Sequence, residues 1–178
     1  MDKKYHLETL ISEEQLENKI IELGKKIKED YEGENLLCIG ILKGAASFLS
    51  NLIQKIDSNK VAIDFMSVSS YGQGTESSGN IKILKDLDAP IEGKNVLIVE
   101  DILDTGNTLY SLRELFKTRK MKSFKICTLL DKPSRRVKQI DADYRGFVIE
   151  DLFVVGFGID YAEHHRNLPY IAKVVFDE

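Results

Sequence analysis

The sequence predicts an α/β domain with a mainly parallel central sheet. Two observations predict it. Short apolar runs of strand length alternate with segments whose apolar residues recur every three or four positions. Several of those runs are apolar without alternation, as strands covered on both faces are. No internal repeat, Pro-rich linker or low-complexity stretch interrupts the order, so residues 1–178 read as one domain around one core.

Element by element, Ser12-Glu13-Glu14-Gln15 has capping-box spacing, and Leu16, Ile20, Leu23 and Ile27 then mark the buried stripe of a first helix. Leu36-Leu37-Cys38-Ile39-Gly40-Ile41 is too short for a helix and suits a buried strand. After Leu42-Lys43-Gly44, which reads as a turn, Phe48, Leu49, Leu52, Ile53 and Ile56 have helical spacing. Val61, Ile63 and Phe65 alternate with Ala62, Asp64 and Met66 as another strand. Ser70 to Asn80 holds three Gly and no aliphatic residue, so a mobile loop is expected. A strand over Asn95–Val99 leads into acidic Glu100-Asp101, and Leu109, Leu112 and Phe116 repeat as a helix. Ser123–Leu130 and Tyr170–Phe176 read as further strands, and Phe153–Tyr161 as a core strand that ends in a turn.

Composition excludes several classes. Hydrophobic residues make up 43% and charged residues 30%, too much apolar material for a disordered tail. The longest run without a polar side chain, Leu152 to Ile159, is eight residues, against the roughly 20 that span a bilayer. Met1-Asp2-Lys3-Lys4-Tyr5-His6 lacks the apolar core of a signal peptide, so a cytoplasmic protein with no membrane association is expected. Cys38 and Cys127 lie in apolar runs without metal-type spacing and read as reduced core thiols. Twenty-five basic against 29 acidic residues give a net charge of −4, which argues against a broad nucleic-acid surface.

The segment from Val96 to Leu109 carries the chemistry. In open α/β sheets ligands bind beyond the carboxyl ends of strands, and here a strand, three acids and the start of a helix follow one another. Thr105, Gly106, Asn107 and Thr108 bring backbone N–H groups and two hydroxyls to a helix N-terminus, which suits a phosphate. Glu100, Asp101 and Asp104 would repel a bare phosphate, so they suit hydroxyls, a cation or an atom that becomes positive. Taken residue by residue, they read equally well as solvated loop acids with Thr105 as a helix cap.

An apolar strand, two acids, two apolar residues and then Asp-Thr-Gly resembles the phosphoribosyl diphosphate (PRPP) motif of the type I phosphoribosyltransferases. The likeness reaches from about Ile41 to Arg166, and the whole chain resembles the bacterial hypoxanthine phosphoribosyltransferases. The resemblance implies a mainly parallel sheet flanked by helices, with a small hood built from the chain ends. It also implies transfer of a phosphoribosyl group from PRPP to a 6-oxopurine, with Mg²⁺ as cofactor, by a homodimer or homotetramer that takes no nucleic acid.

Roles follow from the resemblance position by position. Glu100 and Asp101 would hold the ribose hydroxyls, directly or through the metal shell; Thr105, Gly106, Asn107 and Thr108 the 5-phosphate; and Asp104 would act as general base near N7. Lys43 and Gly44 would contact the pyrophosphate, which Arg166 pairs with as it leaves, and Asp160 would coordinate Mg²⁺. Lys132 would face the exocyclic oxygen of the purine, Phe153 would stack on the base, and Val154 would offer its backbone to the purine edge. Ser70 and Tyr71 would belong to a lid that keeps water from the reacting sugar.

Each has a plainer alternative in the residues themselves: Lys-Gly as an ordinary turn, Lys132 as a surface cation, the Gly/Ser stretch as a loose connection. Adjacent His164 and His165 read as exposed, and Lys117, Arg119, Lys120 and Lys122 as complements to a helix C-terminus. A nucleotide-sensing regulator on the same fold is the rival from another class. Asp104 discriminates, because such regulators generally lack an acid there, and Lys132 and Phe153 point the same way. A phosphate-binding signalling domain would not account for the lid and Leu42-Lys43-Gly44 together.

Overall fold

A computed structural model describes residues 4–70 and 81–177. In chain order these form β1 (Tyr5–Ile11), α1 (Glu13–Asp30), β2 (Leu36–Leu42), α2 (Ala46–Ile53), β3 (Val61–Ser70), β4 (Ile81–Lys85), β5 (Asn95–Leu103), α3 (Asn107–Thr118), β6 (Ser123–Asp131), β7 (Tyr144–Val148), β8 (Val154–Val155) and β9 (Ile171–Phe176). The expected mobile loop over 71–80, with Tyr71 of the lid, lies outside the described residues. Ser70 closes β3 and does not begin a loop.

The main sheet has the order β4-β3-β2-β5-β6-β7, with β4 antiparallel at one edge and the other five strands parallel. A second sheet, β1-β9-β8, is antiparallel and joins the two ends of the chain, which gives the hood that the resemblance implies. The strand expected over Tyr170–Phe176 is therefore the middle of the hood and not part of the main sheet.

The central strands are where hydropathy places them. Burial runs unbroken from Leu36 to Ile41 and from Asn95 to Glu100, because helices cover both faces of the sheet. α1 opens on the expected capping box: the Gln15 N–H donates to Ser12 Oγ (3.2 Å) and the Ser12 N–H to Gln15 Oε1 (2.8 Å). Its buried stripe is Leu16, Ile20, Leu23 and Ile27. α2 stops at Ile53, and Ile56 stays buried just beyond it. Cys38 and Cys127 are free and buried; burial pushes the Cys38 thiol up to about 12 and raises Cys127 well above the usual thiol range, so neither is a nucleophile near neutral pH.

Three strands are absent from the hydropathy pattern: β1, β4 and β7. All three lie at sheet edges. One flank and part of a face meet water there, so their sequences carry polar residues and their identity is set by the partner strand.

Candidate active site

From β2 the chain crosses through α2 to β3 on one side, and from β5 it crosses through α3 to β6 on the other. The sheet order therefore reverses between β2 and β5. A crevice opens at the carboxyl ends of adjacent strands at such a point. Leu42-Lys43-Gly44 leaves the end of β2 through a cis Leu42–Lys43 peptide, and Glu100 to Asp104 lies at the end of β5. The two are in contact: a Cβ on Gly44 would overlap the Asp101 carboxylate. A cleft of about 390 Å³ follows, lined by Val68, Ser69, Glu100, Asp104, Thr105 and Gly106 among others. A larger hollow, about 540 Å³, lies at the amino ends of the same strands beside Lys60, Lys94 and Lys122, away from these groups.

β5 runs on to Leu103, so Glu100 and Asp101 are strand residues and not members of a loop, a correction to the expected end at Val99. Staying in the ladder is what buries Glu100. Burial first, then the neighbouring Asp101 carboxylate, push Glu100 well above the usual carboxylate range. Asp101 is also raised by burial, against hydrogen bonds from Glu100 and the Ile102 N–H and the attraction of Arg166. Among the described residues neither acid has an ion-pair partner within 4.0 Å. A pair of desolvated acids without a counter-ion is the donor set a hard divalent cation takes. No three His, Cys, Asp or Glu side chains among the described residues converge as a complete metal shell, so oxygens of a substrate would have to complete it.

This burial has a measurable consequence. A carboxyl raised in the fold keeps a proton that the unfolded chain releases, so its contribution to stability is fully present below the ordinary carboxylate value and is lost as pH rises through the raised one. Metal-free Glu100→Gln should melt above the wild type at pH 8, and the difference should close on approaching about pH 5, near the ordinary carboxylate range. Thermal melts across that range check it; an equal difference at every pH would mean that the acid titrates normally.

α3 starts after Gly106, which has φ +80° and gives the helix no side-chain cap. Thr105 Oγ1 accepts weakly from the Asn107 N–H (3.4 Å), so Thr105 is not a conventional helix cap. Beyond that weak contact no side chain of the cap residue occupies the first-turn N–H groups of α3, which suits an anion.

At the other side of β5, Lys132 follows the end of β6. It is 7% exposed, which overturns the plain reading as a surface cation. Its N–H donates to the Leu103 carbonyl (2.9 Å) and its ammonium to the Leu152 carbonyl (2.6 Å), so it joins the end of β5 to the segment carrying Phe153. The Phe153 ring is 47% exposed, stands edge-on to Tyr161 at 5.3 Å and tilted to Phe176 at 6.2 Å, while Val154 is buried in β8. Asp104 pairs with Arg135 through Nε (3.2 Å), and Arg135 reaches Asp151 (3.5 Å).

The turn after β8 carries a second chain of charges. Arg166 pairs with Asp160 (3.0 Å) and Glu163 (3.3 Å), and Glu163 pairs with Lys43 (2.8 Å). Lys43, by hydrogen bond first, holds Glu163 below the usual carboxylate range. Arg166 Nη1 also donates to the Gly158 carbonyl (2.9 Å), while its Nε is buried with no hydrogen-bond partner among the described residues. Gly158 in turn packs on the Gly44 carbonyl, which seats the hood turn against the cleft.

Residues 6–162 match the family model of the phosphoribosyl transferase domain. The chain belongs to the phosphoribosyltransferase family. A hypoxanthine-guanine phosphoribosyltransferase of Staphylococcus aureus (strain Mu50) is 56% identical over 167 residues, 94% of this chain and 93% of that protein. The bifunctional protein TilS/HprT of Listeria innocua is 57% identical over 162 residues, 91% of this chain. The chain spans 25% of the length of that relative. Among solved structures, a hypoxanthine phosphoribosyltransferase of Staphylococcus aureus superimposes with a TM-score of 0.90 at 54% identity, covering 94% of this chain and 90% of that one. A hypoxanthine-guanine phosphoribosyltransferase of Bacillus anthracis, with HEPES in its active site, also gives 0.90, at 51% identity over 97% and 99%.

In this phosphoribosyltransferase chain Glu100, Asp104, Thr105, Gly106 and Thr108 line the cleft; Gly44 touches Asp101 beside it, Lys132 ties the end of β5 to the segment of Phe153 and Val154, and Lys43 is linked through Glu163 to Arg166 and Asp160. Ser70 ends β3, beside the cleft-lining Ser69. His164 is exposed as expected, but His165 is half-buried, its Nε2 2.7 Å from the Tyr5 hydroxyl. Glu163, Asp131 and Asp151 are neighbours of the site that the sequence does not single out, whereas the basic cluster of Arg135 and Arg136 lies beside Lys132, where the residue order puts it. Glu163 had one signal, a spacing of three from both Asp160 and Arg166.

Proposed function

We propose that the chain is a purine-salvage hypoxanthine-guanine phosphoribosyltransferase: hypoxanthine or guanine and PRPP give IMP or GMP and pyrophosphate. The observation that carries this reading is the placement of Asp104 after β5 and of buried Lys132 after β6, at the same ends of neighbouring strands, with a phosphate-type helix start following Asp104. An acid and an ammonium so placed suit a base with a proton to lose at N7 and an oxygen at C6.

In the reading, the N–H groups of Thr105–Thr108 and the two Thr hydroxyls take the 5-phosphate. Lys43, the Gly44 N–H and Arg166 take the pyrophosphate, and Glu100 and Asp101 take the ribose hydroxyls. Asp104 accepts the N7 proton while N9 bonds to the anomeric carbon and the bond from that carbon to pyrophosphate breaks. Positioning and electrostatic support of the cationic sugar supply the remainder of the rate. Each substrate charge replaces an internal one: pyrophosphate displaces Glu163 from Lys43 and Arg166, and the purine displaces Arg135 from Asp104. Glu100 and Asp101, with oxygens of the substrate, would hold Mg²⁺, which would neutralise the leaving pyrophosphate; Asp160, the third expected ligand, is paired with Arg166 and does not converge with them. Ser70 and Tyr71 belong to a lid. The chain acts as one domain over residues 1–178, in the cytoplasm, as a homodimer or homotetramer; no helix among the described residues is long and apolar enough to cross a membrane.

Lys132 sets the choice of base. A 6-oxo group accepts a hydrogen bond from its ammonium, which already donates to the Leu152 carbonyl (2.6 Å) and lies 3.6 Å from Asp151, whereas the 6-amino group of adenine sets a donor against that donor. A hydrogen bond from a charged donor is worth about 1.5–3 kcal/mol, so Lys132→Met should raise the KM for hypoxanthine about tenfold or more. The KM for PRPP should change little, and steady-state kinetics with each substrate varied separate the two.

The overall test is PRPP-dependent nucleotide formation with hypoxanthine, guanine, xanthine and adenine, with and without Mg²⁺. Turnover of hypoxanthine and guanine that needs Mg²⁺ is expected. Activity with adenine alone, or with no base, overturns the reading.

A further inference from the structure

Along Leu103–Thr105 three successive carbonyls are occupied from one side. The Leu103 carbonyl accepts from the Lys132 N–H (2.9 Å) and Arg136 Nη1 (3.2 Å), and the Asp104 carbonyl accepts from the same Nη1. The Thr105 carbonyl accepts from the N–H groups of Val137 (2.9 Å) and Lys138 (3.1 Å). These peptides are trans, so each C=O and the N–H that follows it point in opposite directions. Turning three carbonyls toward residues 132–138 therefore turns the N–H groups of Asp104, Thr105 and Gly106 away from that segment, on the cleft side.

Arg136 is the side chain in this brace, and it is held in turn. Its Nη2 pairs with Asp131, the last residue of β6, which is fully buried and lies opposite Leu103 in the sheet register. Asp131 takes a second guanidinium, Arg145 Nε at 2.6 Å, from the more exposed side. Arg136 is only 14% exposed against 40% for Arg145, so the inner pair is the desolvated one. A planar guanidinium can hold one arm on a carboxylate and the other on two carbonyls at fixed geometry; an ammonium on a flexible stem has no such second arm.

We propose that Arg136, anchored on Asp131, is a positioning residue for phosphate capture: it holds the Leu103 and Asp104 carbonyls back so that the N–H groups after them face a phosphate monoester in the cleft. The identity of that monoester as the 5-phosphate of PRPP rests on the transferase reading above.

The test compares Arg136→Lys and Asp131→Asn with Arg145→Ala in the full chain, each checked for folding by circular dichroism and melting. Arg136→Lys should raise the KM for PRPP about tenfold or more while the KM for hypoxanthine moves less than about threefold. Calorimetric titration with ribose 5-phosphate should weaken by a similar factor. Asp131→Asn should shift the same two quantities in the same direction, and it decides the matter if Arg136→Lys does not fold. Arg145→Ala, which touches Asp131 but not the loop, should leave both near the wild type. A folded Arg136→Lys with wild-type PRPP KM and wild-type ribose 5-phosphate binding overturns the proposal, as does an equal rise in both KM values, the mark of general loosening. If the wild type transfers to no purine, the transferase reading fails, and the ribose 5-phosphate titration alone decides this one.

Discussion

Asp104→Asn should lower kcat by roughly tenfold or more, the low side of the about 10²–10⁴-fold that a positioned general base contributes. The substitution keeps the shape of the side chain and removes its capacity to take a proton. The phosphate-facing backbone is untouched, so the KM for PRPP should stay close to normal. Stability should hardly change either. The ion pair that is lost, to Arg135, is between side chains 41% and 47% exposed, and pairs of that kind are worth about 0–1 kcal/mol. Steady-state kinetics beside a thermal melt check both halves. Near-normal turnover in a folded Asp104→Asn protein would remove the base role and leave positioning to account for the rate.

Gly106→Ala should damage PRPP binding severely. At φ +80° an L side chain is strained, by about 1–2 kcal/mol. The new Cβ would also lie 2.6 Å from Ile140 Cγ2 and 3.2 Å from Arg136 Cδ; overpacking of this kind typically costs about 1–3 kcal/mol. Relief requires the loop to move away from residues 136–140, which rotates the N–H groups that face the phosphate. If about 2 kcal/mol of the cost falls on binding, the KM for PRPP rises about thirtyfold. The KM for hypoxanthine should follow only weakly, because Lys132 and Phe153 are carried by other segments. Substrate-by-substrate kinetics and urea unfolding partition the cost; a wild-type PRPP KM with lowered stability would mean that the loop is not the phosphate cradle.

The two predictions differ in how much of their basis could be read from residue order. The phosphate loop is contiguous, so strand hydropathy, Thr-Gly-Asn-Thr and the following helical spacing announce it together. Lys132, Phe153, Asp160 and Arg166 carry no such local signal; they stood out only through resemblance to a family. Glu163 and Arg135 carried only weak ones, a spacing of three from Asp160 and Arg166 and a place in a basic cluster beside Lys132. Glu163 reaches Lys43 across 120 positions, and Arg135 reaches Asp104 across 31. Edge strands β1, β4 and β7 were hidden for a related reason: a strand with one flank in water takes its conformation from its partner, and the pairing of Tyr5 with Phe176 has no trace in either segment alone.

The sequence by itself determined the buried strands, the capped first helix and the buried thiols, because each depends on neighbours within a few residues: hydropathy period and a cap three positions on. Only the tertiary structure decided that Lys132 is buried and not a surface cation, that Glu100 lies within the ladder with its acid raised, and which internal charges hold Asp104, Lys43 and Arg166. Those are questions of desolvation and Coulomb attraction, which depend on separation in space, and the fold alone sets that separation.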